Sequence, residues 1–261
     1  MDFHEIVNNP VNRRTFLTRM AAAGLGVAAM GLMPEAAHAS GRPVLTLVNV
    51  PENSHFPGIP GKNLRNKTLN YALTLEILEA DIYRQGLNLA AGKPLDTPLP
   101  DDVSGYALSI PAGQVAHPAL GFQLLQQFAP VEAAHRDYLH AAIQSLGDTP
   151  VSPNPGGYKA PFGGDLASVL AVIRTLEETG VRAYLGAAQF IGDKTLTQAG
   201  ASIYSTEARH SAAINYALGL EAGPAKQRLD SQAVIHQNGD NNFEYWLTPE
   251  QVIAKAKPFF A

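Results

Sequence analysis

The pattern Glu-x-x-His occurs twice in segments with helical periodicity, at Glu132 and His135 and again at Glu207 and His210. Residues three apart share a helical face, so each pair presents a carboxylate and an imidazole to the same side. Together these groups bind iron, manganese or zinc in proteins. The pattern alone is weak evidence. It also occurs in two segments without helical periodicity, Glu35-x-x-His38 and Glu52-x-x-His55.

The neighbours of the two helical pairs are largely apolar. Leu125 and Leu139 share a face with Glu132, and Ile214 shares a face with Glu207. An apolar stripe along a helix faces the core of the protein. We therefore expect both Glu-x-x-His pairs to point into the interior, which separates them from the two matches outside helices.

Two further glutamates, Glu76 and Glu177, also lie on apolar helical faces. Most of their neighbours at helical spacing are apolar, such as Leu73 near Glu76 and Ile173 near Glu177. Each glutamate is also followed seven residues later by a tyrosine, Tyr83 or Tyr184. A lone carboxylate in an apolar stripe is costly to bury unless it is paired, hydrogen-bonded or bound to a metal. The tyrosines are either ordinary interior residues or donors that orient the carboxylates.

Glu79 is an alternative to Glu76. Its neighbours Leu75 and Ile82 are also apolar, so Glu79 replaces or supplements Glu76 in this interpretation. We prefer Glu76, because only Glu76 repeats the seven-residue spacing to a tyrosine that Glu177 has.

Four long helices have to position these residues. Helical patterns run over residues 63–91, 112–146 and 165–191, and a fourth follows Gly192 and Asp193 and ends at about Gly219. The connection over 147–164 contains four prolines and five glycines and is predicted to be irregular. This order predicts an all-α four-helix bundle with one long crossover. Thr248, followed by proline and then by glutamine at the capping-box position, predicts a short C-terminal helix.

The helical connections bring the glutamates to one level of this bundle. Glu177 and Glu207 are each 15 residues from Gly192. Glu76 lies 16 residues before Gly92, and Glu132 lies 16 residues after Ala116, near the start of the second predicted helix. Antiparallel helices then place both pairs in one layer. One glutamate from each of two helices and Glu-x-x-His from the other two form the dinuclear site of ferritin-like bundles. The predicted metal ligands are Glu76, Glu132, His135, Glu177, Glu207 and His210.

The ligand set predicts two bound metal ions. In this interpretation Glu132 and Glu207 bridge the ions, each histidine binds one ion, and Glu76 and Glu177 bind at the ends. Four carboxylates neutralise two divalent cations. Oxygen-rich ligation with one imidazole per ion favours iron or manganese over copper or structural zinc.

Pro130 lies inside the second predicted helix, two residues before Glu132. A proline there removes a helical hydrogen bond and is expected to kink the helix. Two outcomes are open: the kink makes room for a metal-bound ligand, or it disturbs the level of Glu132.

Composition excludes several classes of protein. The 261 residues contain no cysteine, which excludes disulfides, thiolate metal sites and cysteine nucleophiles. The formal charge of −4 gives no reason to expect nucleic acid or an anionic membrane as a partner.

The first 39 residues have the features of a targeting segment. Paired arginines in NRRTFLT (12–18) precede an uncharged apolar run at 20–33, which is shorter than the roughly 20 residues that span a bilayer. Ala37-His38-Ala39 follows, with the small-x-small pattern that signal peptidase accepts. The segment resembles a twin-arginine export signal, cleaved after Ala39. It predicts export through the twin-arginine machinery, to the periplasm or to another location outside the cytoplasm.

Four segments carry a wider resemblance: NYALTLEILEADIYRQGL, VEAAHRDYLHAAI, LEETGVRAYLGAAQFI and STEARHSAAINYALG. They resemble exported bacterial ferritin-like domain proteins, a family similar to the plant desiccation-related proteins, over residues 63–219. FEYWLTPEQVIAKAKPF resembles the C-terminal segment of that family. The resemblance implies a ferritin-like bundle and permits a di-metal site, but a fold alone does not fix an activity.

The predicted organisation is a signal peptide over 1–39, an extended arm over 40–62, the bundle over 63–219 and a C-terminal extension over 220–261. Three functions remain open: redox chemistry on oxygen or peroxide, iron oxidation and storage in a shell, and a structural role in stress or desiccation. Intact ligands favour the first two. Storage needs a multi-subunit shell, which the arm and the extension disfavour, although a smaller homo-oligomer stays open.

Overall fold

Five α-helices form the regular structure of residues 55–222, 244 and 246–260, the part of the chain described by the computed structural model. The predicted signal peptide and most of the predicted arm lie outside this part. The described residues contain no β-strand, and Tyr158 and Phe260 form an isolated bridge. The prediction of an all-α fold is therefore confirmed. The helices are α1 (Leu64–Ala90), α2 (Pro118–Ser145), α3 (Leu166–Ala187), α4 (Lys194–Leu218) and α5 (Pro249–Ala256).

Side-chain caps explain where four of these helices begin. Asn63, Asp165 and Asp193 each accept a hydrogen bond from the backbone N–H three residues later, at the starts of α1, α3 and α4. Thr248 and Gln251 form the predicted capping box at the start of α5. The short C-terminal helix is thus present as predicted.

The start of α2 differs from the prediction. We expect a helix from residue 112, but α2 begins at Pro118. Proline lacks an N–H and restricts the residue before it, so it favours the first position of a helix. Two residues before Pro118 instead contact the start of α3. The carbonyls of Pro111 and Ala112 accept backbone hydrogen bonds from the N–H groups of Leu166 and Ala167.

Contacts at the helix ends establish the directions of the bundle. Asn66, at the start of α1, donates to Asp148, which follows the end of α2, so α1 and α2 are antiparallel. The N–H of His117, before α2, donates to the carbonyl of Ala217 near the end of α4, so α2 and α4 are also antiparallel. The main helix pairs are α1 with α2 and α3 with α4, and α1 also packs on α3. This is a four-helix bundle with a crossover between α2 and α3.

The crossover runs alongside α1 and covers it. Asn70 donates to the carbonyl of Thr149 and accepts from the N–H of Val151, and Gln85, four turns further along, donates to the carbonyl of Tyr158. Helices and crossover together bury 20 of the 27 residues of α1. Carboxylates on the bundle side of α1 are therefore shielded from water.

The segment after the bundle docks on α3. The N–H of Leu247 donates to the carbonyl of Arg182, and α5 packs on α3. Gly186 makes this close approach possible, because a Cβ there would lie 1.9 Å from the carbonyl oxygen of Leu247. None of the described helices is long and apolar enough to cross a bilayer.

Pro130 does not interrupt α2, which continues through it to Ser145. Its side chain is exposed, and without an N–H it leaves the carbonyl of Gln126 without the usual helical donor. We expect Pro130→Ala to raise the free energy of unfolding by about 1–3 kcal/mol. Chemical denaturation of the metal-free protein measures the change. A decrease instead would mean that packing in α2 depends on the proline.

Candidate metal centre

The structure brings the six predicted ligand residues into one layer of the bundle. α1 contributes Glu76, α3 contributes Glu177, and α2 and α4 each contribute a Glu-x-x-His pair. The four carboxylates are 0–1% exposed, and His210 is 3% exposed. Their ligand atoms fall into two groups, within each of which all atoms lie within 4.8 Å of one another. The groups are Glu76, Glu132, His135 and Glu207, and Glu132, Glu177, Glu207 and His210.

In the first group, one imidazole nitrogen lies among three carboxylates. Nδ1 of His135 is 3.1 Å from Oε2 of Glu132, 3.2 Å from Oε1 of Glu207 and 3.4 Å from Oε2 of Glu76. His135 is the most accessible member, with a side chain that is 13% exposed. Three acidic oxygens and a nitrogen around one point suit a hard or borderline divalent cation.

In the second group, the imidazole of His210 lies near two carboxylates. Its Nδ1 is 2.7 Å from Oε1 of Glu132 and 3.5 Å from Oε1 of Glu177. Phe128 stacks on the imidazole, with ring centroids 3.8 Å apart, and so fixes its plane. Glu132 directs one oxygen towards each histidine, which is the disposition of a carboxylate that bridges two ions.

Several of these buried atoms have no hydrogen-bond partner in the described part of the chain. Such atoms are rare in native proteins, and each calls for an explanation. The approach of His210 to Glu132 lacks hydrogen-bond angles, so it satisfies neither atom. The unpartnered ligand atoms are Oε2 of Glu76, Oε1 of Glu132, Oε2 of Glu177, both carboxylate oxygens of Glu207 and Nδ1 of His210. Bound cations would satisfy all of them, so the residues present fit a di-metal site.

Burial shifts the pKa values of three carboxylates upwards. It raises the pKa of Glu76, and it raises that of Glu177 well above its usual value, with a further contribution from neighbouring carboxylates. Burial also raises the pKa of Glu207 to about 7, and the charge of Glu132 adds to the increase. Glu207 therefore favours its protonated form in the metal-free protein up to about neutral pH, and burial acts in the same direction on Glu76 and Glu177.

For Glu132 and His135, contacts between carboxylate and imidazole outweigh the effect of burial on the pKa. Burial raises the pKa of Glu132, but the contacts with His135 and His210 outweigh it, and the pKa falls below its usual value. Burial likewise lowers the pKa of His135, whereas contacts with Glu132, Glu207 and Glu76 raise it to about 12. A protonated His135 thus supplies the positive charge that these carboxylates need when no cation is bound.

The two predicted tyrosines bind the two end carboxylates across the bundle. Tyr83 on α1 donates to Oε1 of Glu177 on α3, and Tyr184 on α3 donates to Oε1 of Glu76 on α1 at 2.5 Å. Burial raises the pKa of both hydroxyls, so they stay protonated donors. The seven-residue spacing shared by the two halves of the chain therefore corresponds to a reciprocal pair of hydrogen bonds.

Because these hydrogen bonds orient carboxylates of the predicted metal site, we expect Tyr83→Phe to weaken metal binding by about 10- to 100-fold. Isothermal titration of the metal-free protein with Mn²⁺ measures the change. Tyr71→Phe is the matched control, since Tyr71 is also buried on α1 but its hydroxyl has no hydrogen-bond partner among the described residues. Equal affinities in the two variants would contradict an orienting role for Tyr83.

The sequence pattern indicates no role for Phe128 beyond that of an apolar neighbour of Glu132. Gly180 carries a clearer signal, because a glycine inside a helix is destabilising unless something approaches closely. The structure places the carboxylates of Glu79 and Glu207 at that position. It also places Glu76, and not Glu79, in the first ligand group.

Comparisons with known proteins address the same region. Residues 66–220, more than half of the chain, match the family described as ferritin-like domain. No curated protein matches the sequence. Among solved structures, the bacterioferritin-related protein from Bacteroides fragilis, described as a dodecameric thioferritin, is 21% identical, with a TM-score of 0.45. That alignment covers 60% of this chain and 84% of the other. The residues that match the family include all six predicted metal ligands.

Proposed function

Because this chain belongs to the family of ferritin-like domains, we propose that it is a di-metal carboxylate protein that carries out redox chemistry on oxygen or peroxide. The observation that carries the proposal is the pair of overlapping ligand groups that share Glu132 and Glu207. A shared pair of carboxylates between two nitrogen ligands is suited to two ions close together, rather than to two independent sites.

In this proposal each residue has a distinct part. Glu132 and Glu207 bridge the two ions. His135 and Glu76 complete the ligands of one ion. The other ion takes the remaining ligands, His210 and Glu177. The four carboxylates balance two divalent charges, and their oxygen-rich character favours iron or manganese.

The protein supplies the surroundings of the ions. Buried positions keep the carboxylates away from bulk water, and Tyr83 and Tyr184 hold the end carboxylates in place. Because Glu177 and Glu207 have raised pKa values, they release protons when cations bind. A bound iron or manganese pair supplies the electron transfer to oxygen or peroxide. We propose that this activity serves protection against stress, desiccation included.

Export is a separate part of the proposal. The twin-arginine pattern and the Ala37-His38-Ala39 motif support transport to the periplasm after folding and metal loading. Replacement of Arg13 and Arg14 by lysine should retain the protein in the cytoplasm as the uncleaved precursor. Cell fractionation and mass measurement of the chain test this, and a mature periplasmic variant would contradict it.

Elemental analysis of the mature protein, purified without added metal, tests the main proposal. We expect about two iron or manganese ions per chain, as in other di-metal bundles. The loaded protein should consume peroxide or oxygen over repeated cycles when an electron donor is present. Size-exclusion chromatography of the same sample distinguishes storage, since a shell elutes far earlier than a monomer or dimer. A metal-free protein that binds no added iron or manganese would overturn the proposal and leave a structural role.

A further inference from the structure

Glu79 differs from the other glutamates of the metal layer. It lies on α1 one turn after Glu76 and is only 3% exposed. Its Oε2 has no hydrogen-bond partner, and no ion pair reaches it within the described residues. The remaining four glutamates of the layer each contact a histidine. A buried carboxylate with neither kind of partner is costly, so Glu79 needs a further explanation.

The position of Glu79 points towards the metal centre. A Cβ at residue 180 on α3 would lie 3.2 Å from Oε1 of Glu79 and 3.3 Å from Oε2 of Glu207. Both carboxylates therefore border the same small space, which exists because residue 180 is glycine. Neither Oε2 of Glu79 nor Oε2 of Glu207 has a hydrogen-bond partner in the described part of the chain.

A small cavity borders Glu79. It has a volume of about 20 Å³ and lies between α1, α3 and the C-terminal helix α5. Glu79 and Gly180 line it on the bundle side, and Lys255 and Phe259 line it on the outer side. A space of this size holds about one water molecule. The carboxylate of Glu79 is therefore not tightly packed on the side of α5.

We propose that Glu79 is a seventh protein ligand of the centre, which binds beside Glu207 when one ion is trivalent. This inference rests on the di-metal function proposed above. Four carboxylates balance two divalent ions, and a fifth balances the additional positive charge after one ion has lost an electron to the oxidant, oxygen or peroxide. Glu79 therefore stabilises the oxidised pair relative to the reduced pair.

The midpoint potential of the iron-loaded protein tests this inference. In a mediated redox titration, the electron that one ion loses passes to the mediator, so no turnover is needed. Glu79→Gln has nearly the same shape and lacks the charge. We expect this variant to keep the wild-type metal content. Its preference for trivalent over divalent iron should be at least tenfold lower than that of the wild type. For a one-electron couple, this loss raises the potential by about 59 mV.

Two further variants separate ligation from distant charge. Asp81→Asn also removes one negative charge from α1, two residues after Glu79, at a position that is paired with Arg84 near the surface. It should shift the potential by much less than Glu79→Gln. Gly180→Ala keeps the charge of Glu79 but fills the space between Glu79 and Glu207. It should raise the potential in the same direction as Glu79→Gln.

The outcomes are distinguishable. Equal shifts in Glu79→Gln and Asp81→Asn, or no shift in Glu79→Gln at wild-type metal content, would overturn the role of Glu79 while leaving the di-metal function intact. Loss of most of the metal from Glu79→Gln would also overturn it, because Glu79 would then be needed for the divalent ions. A wild-type protein that binds no iron would overturn both the inference and the proposed function. Far-ultraviolet circular dichroism confirms that each variant is folded.

Discussion

Replacement of both Glu132 and Glu207 by glutamine is expected to abolish binding of both metal ions while the bundle stays folded. These residues belong to both ligand groups, so their loss removes an acidic ligand pair from each ion at once. Metal content should fall from about two ions per chain to almost none. The loss should also remove metal-induced stabilisation, which amounts to about 4 kcal/mol at a metal concentration a thousand times the Kd.

In the metal-free protein, replacement of Glu207 alone by glutamine is expected to increase stability. Glutamine keeps the volume of the side chain and removes a carboxylate that is buried and incompletely paired. An unsatisfied buried polar group costs about 1–3 kcal/mol, and a charged one costs more. Both oxygens of Glu207 lack hydrogen-bond partners among the described residues. The pKa of Glu132, by contrast, is lowered by its contacts with His135 and His210, so its carboxylate stabilises the metal-free fold. Opposite changes in metal-free and metal-loaded stability are the signature of a binding site rather than of a structural network.

A surface variant provides the matched control. Asp81→Asn combined with Asp137→Asn also removes two negative charges, here from α1 and α2, but Asp137 is 69% exposed and neither residue belongs to a ligand group. This control should keep wild-type metal content. Elemental analysis and thermal unfolding, with and without Mn²⁺, compare the three proteins. Retention of both ions by the Glu132→Gln/Glu207→Gln variant would show that the ions are bound elsewhere.

The bundle and the composition of the layer follow from the sequence because both depend on local spacing. The three-residue spacing of Glu132 and His135 determines their shared face. The equal distances of Glu177 and Glu207 from Gly192 determine their level. Such arguments need only helix geometry and a tight turn. The role of the six residues as metal ligands stays a prediction until metal content is measured.

Other features depend on contacts between segments far apart in the chain, which spacing does not reveal. The helical pattern of residues 112–117 suggests an earlier start of α2, yet their backbone is hydrogen-bonded at the start of α3. The cover that the crossover provides depends on Asn70 and Gln85, polar residues whose partners are loop carbonyls. Glu76 and Glu79 both have apolar neighbours at helical spacing in the sequence. Only the bundle shows that Glu76 meets His135 while Glu79 faces Gly180.

The metal-free protein is expected to lose stability as the pH rises from about 4.5 to 7. The pKa of Glu207 is raised to about 7 in the folded state from 4.5. A raised pKa stabilises the folded protein fully below the unfolded value, and this stabilisation is lost as the pH rises through the folded value. For Glu207 alone the loss is about 3 kcal/mol, because one pKa unit corresponds to about 1.4 kcal/mol. Burial raises the pKa of Glu177 as well, so Glu177 adds in the same direction.

Two other groups of the layer change stability outside this interval of pH. The lowered pKa of Glu132 contributes stability above about pH 4.5 that is lost in more acidic solution. The pKa of His135 is raised from 6.5 to about 12, so its contribution is complete below pH 6.5 and is lost only as the pH rises further. The interval from 4.5 to 6.5 therefore reports mainly on the carboxylates with raised pKa values.

Bound metal should reverse this dependence on pH. Cations bind the deprotonated carboxylates, so metal binding releases the protons of Glu177 and Glu207 and becomes stronger as the pH rises. Thermal unfolding at pH 5, 6 and 7, with and without Mn²⁺, should show a metal-induced increase in Tm that grows with pH. In Glu207→Gln the metal-free decline should be smaller. A metal-free wild type whose stability is flat or rises over this interval would mean that Glu207 is ionised in the folded protein. The carboxylates would then be held together by the charge of His135 alone, and cations would compete with an ion pair rather than with protons.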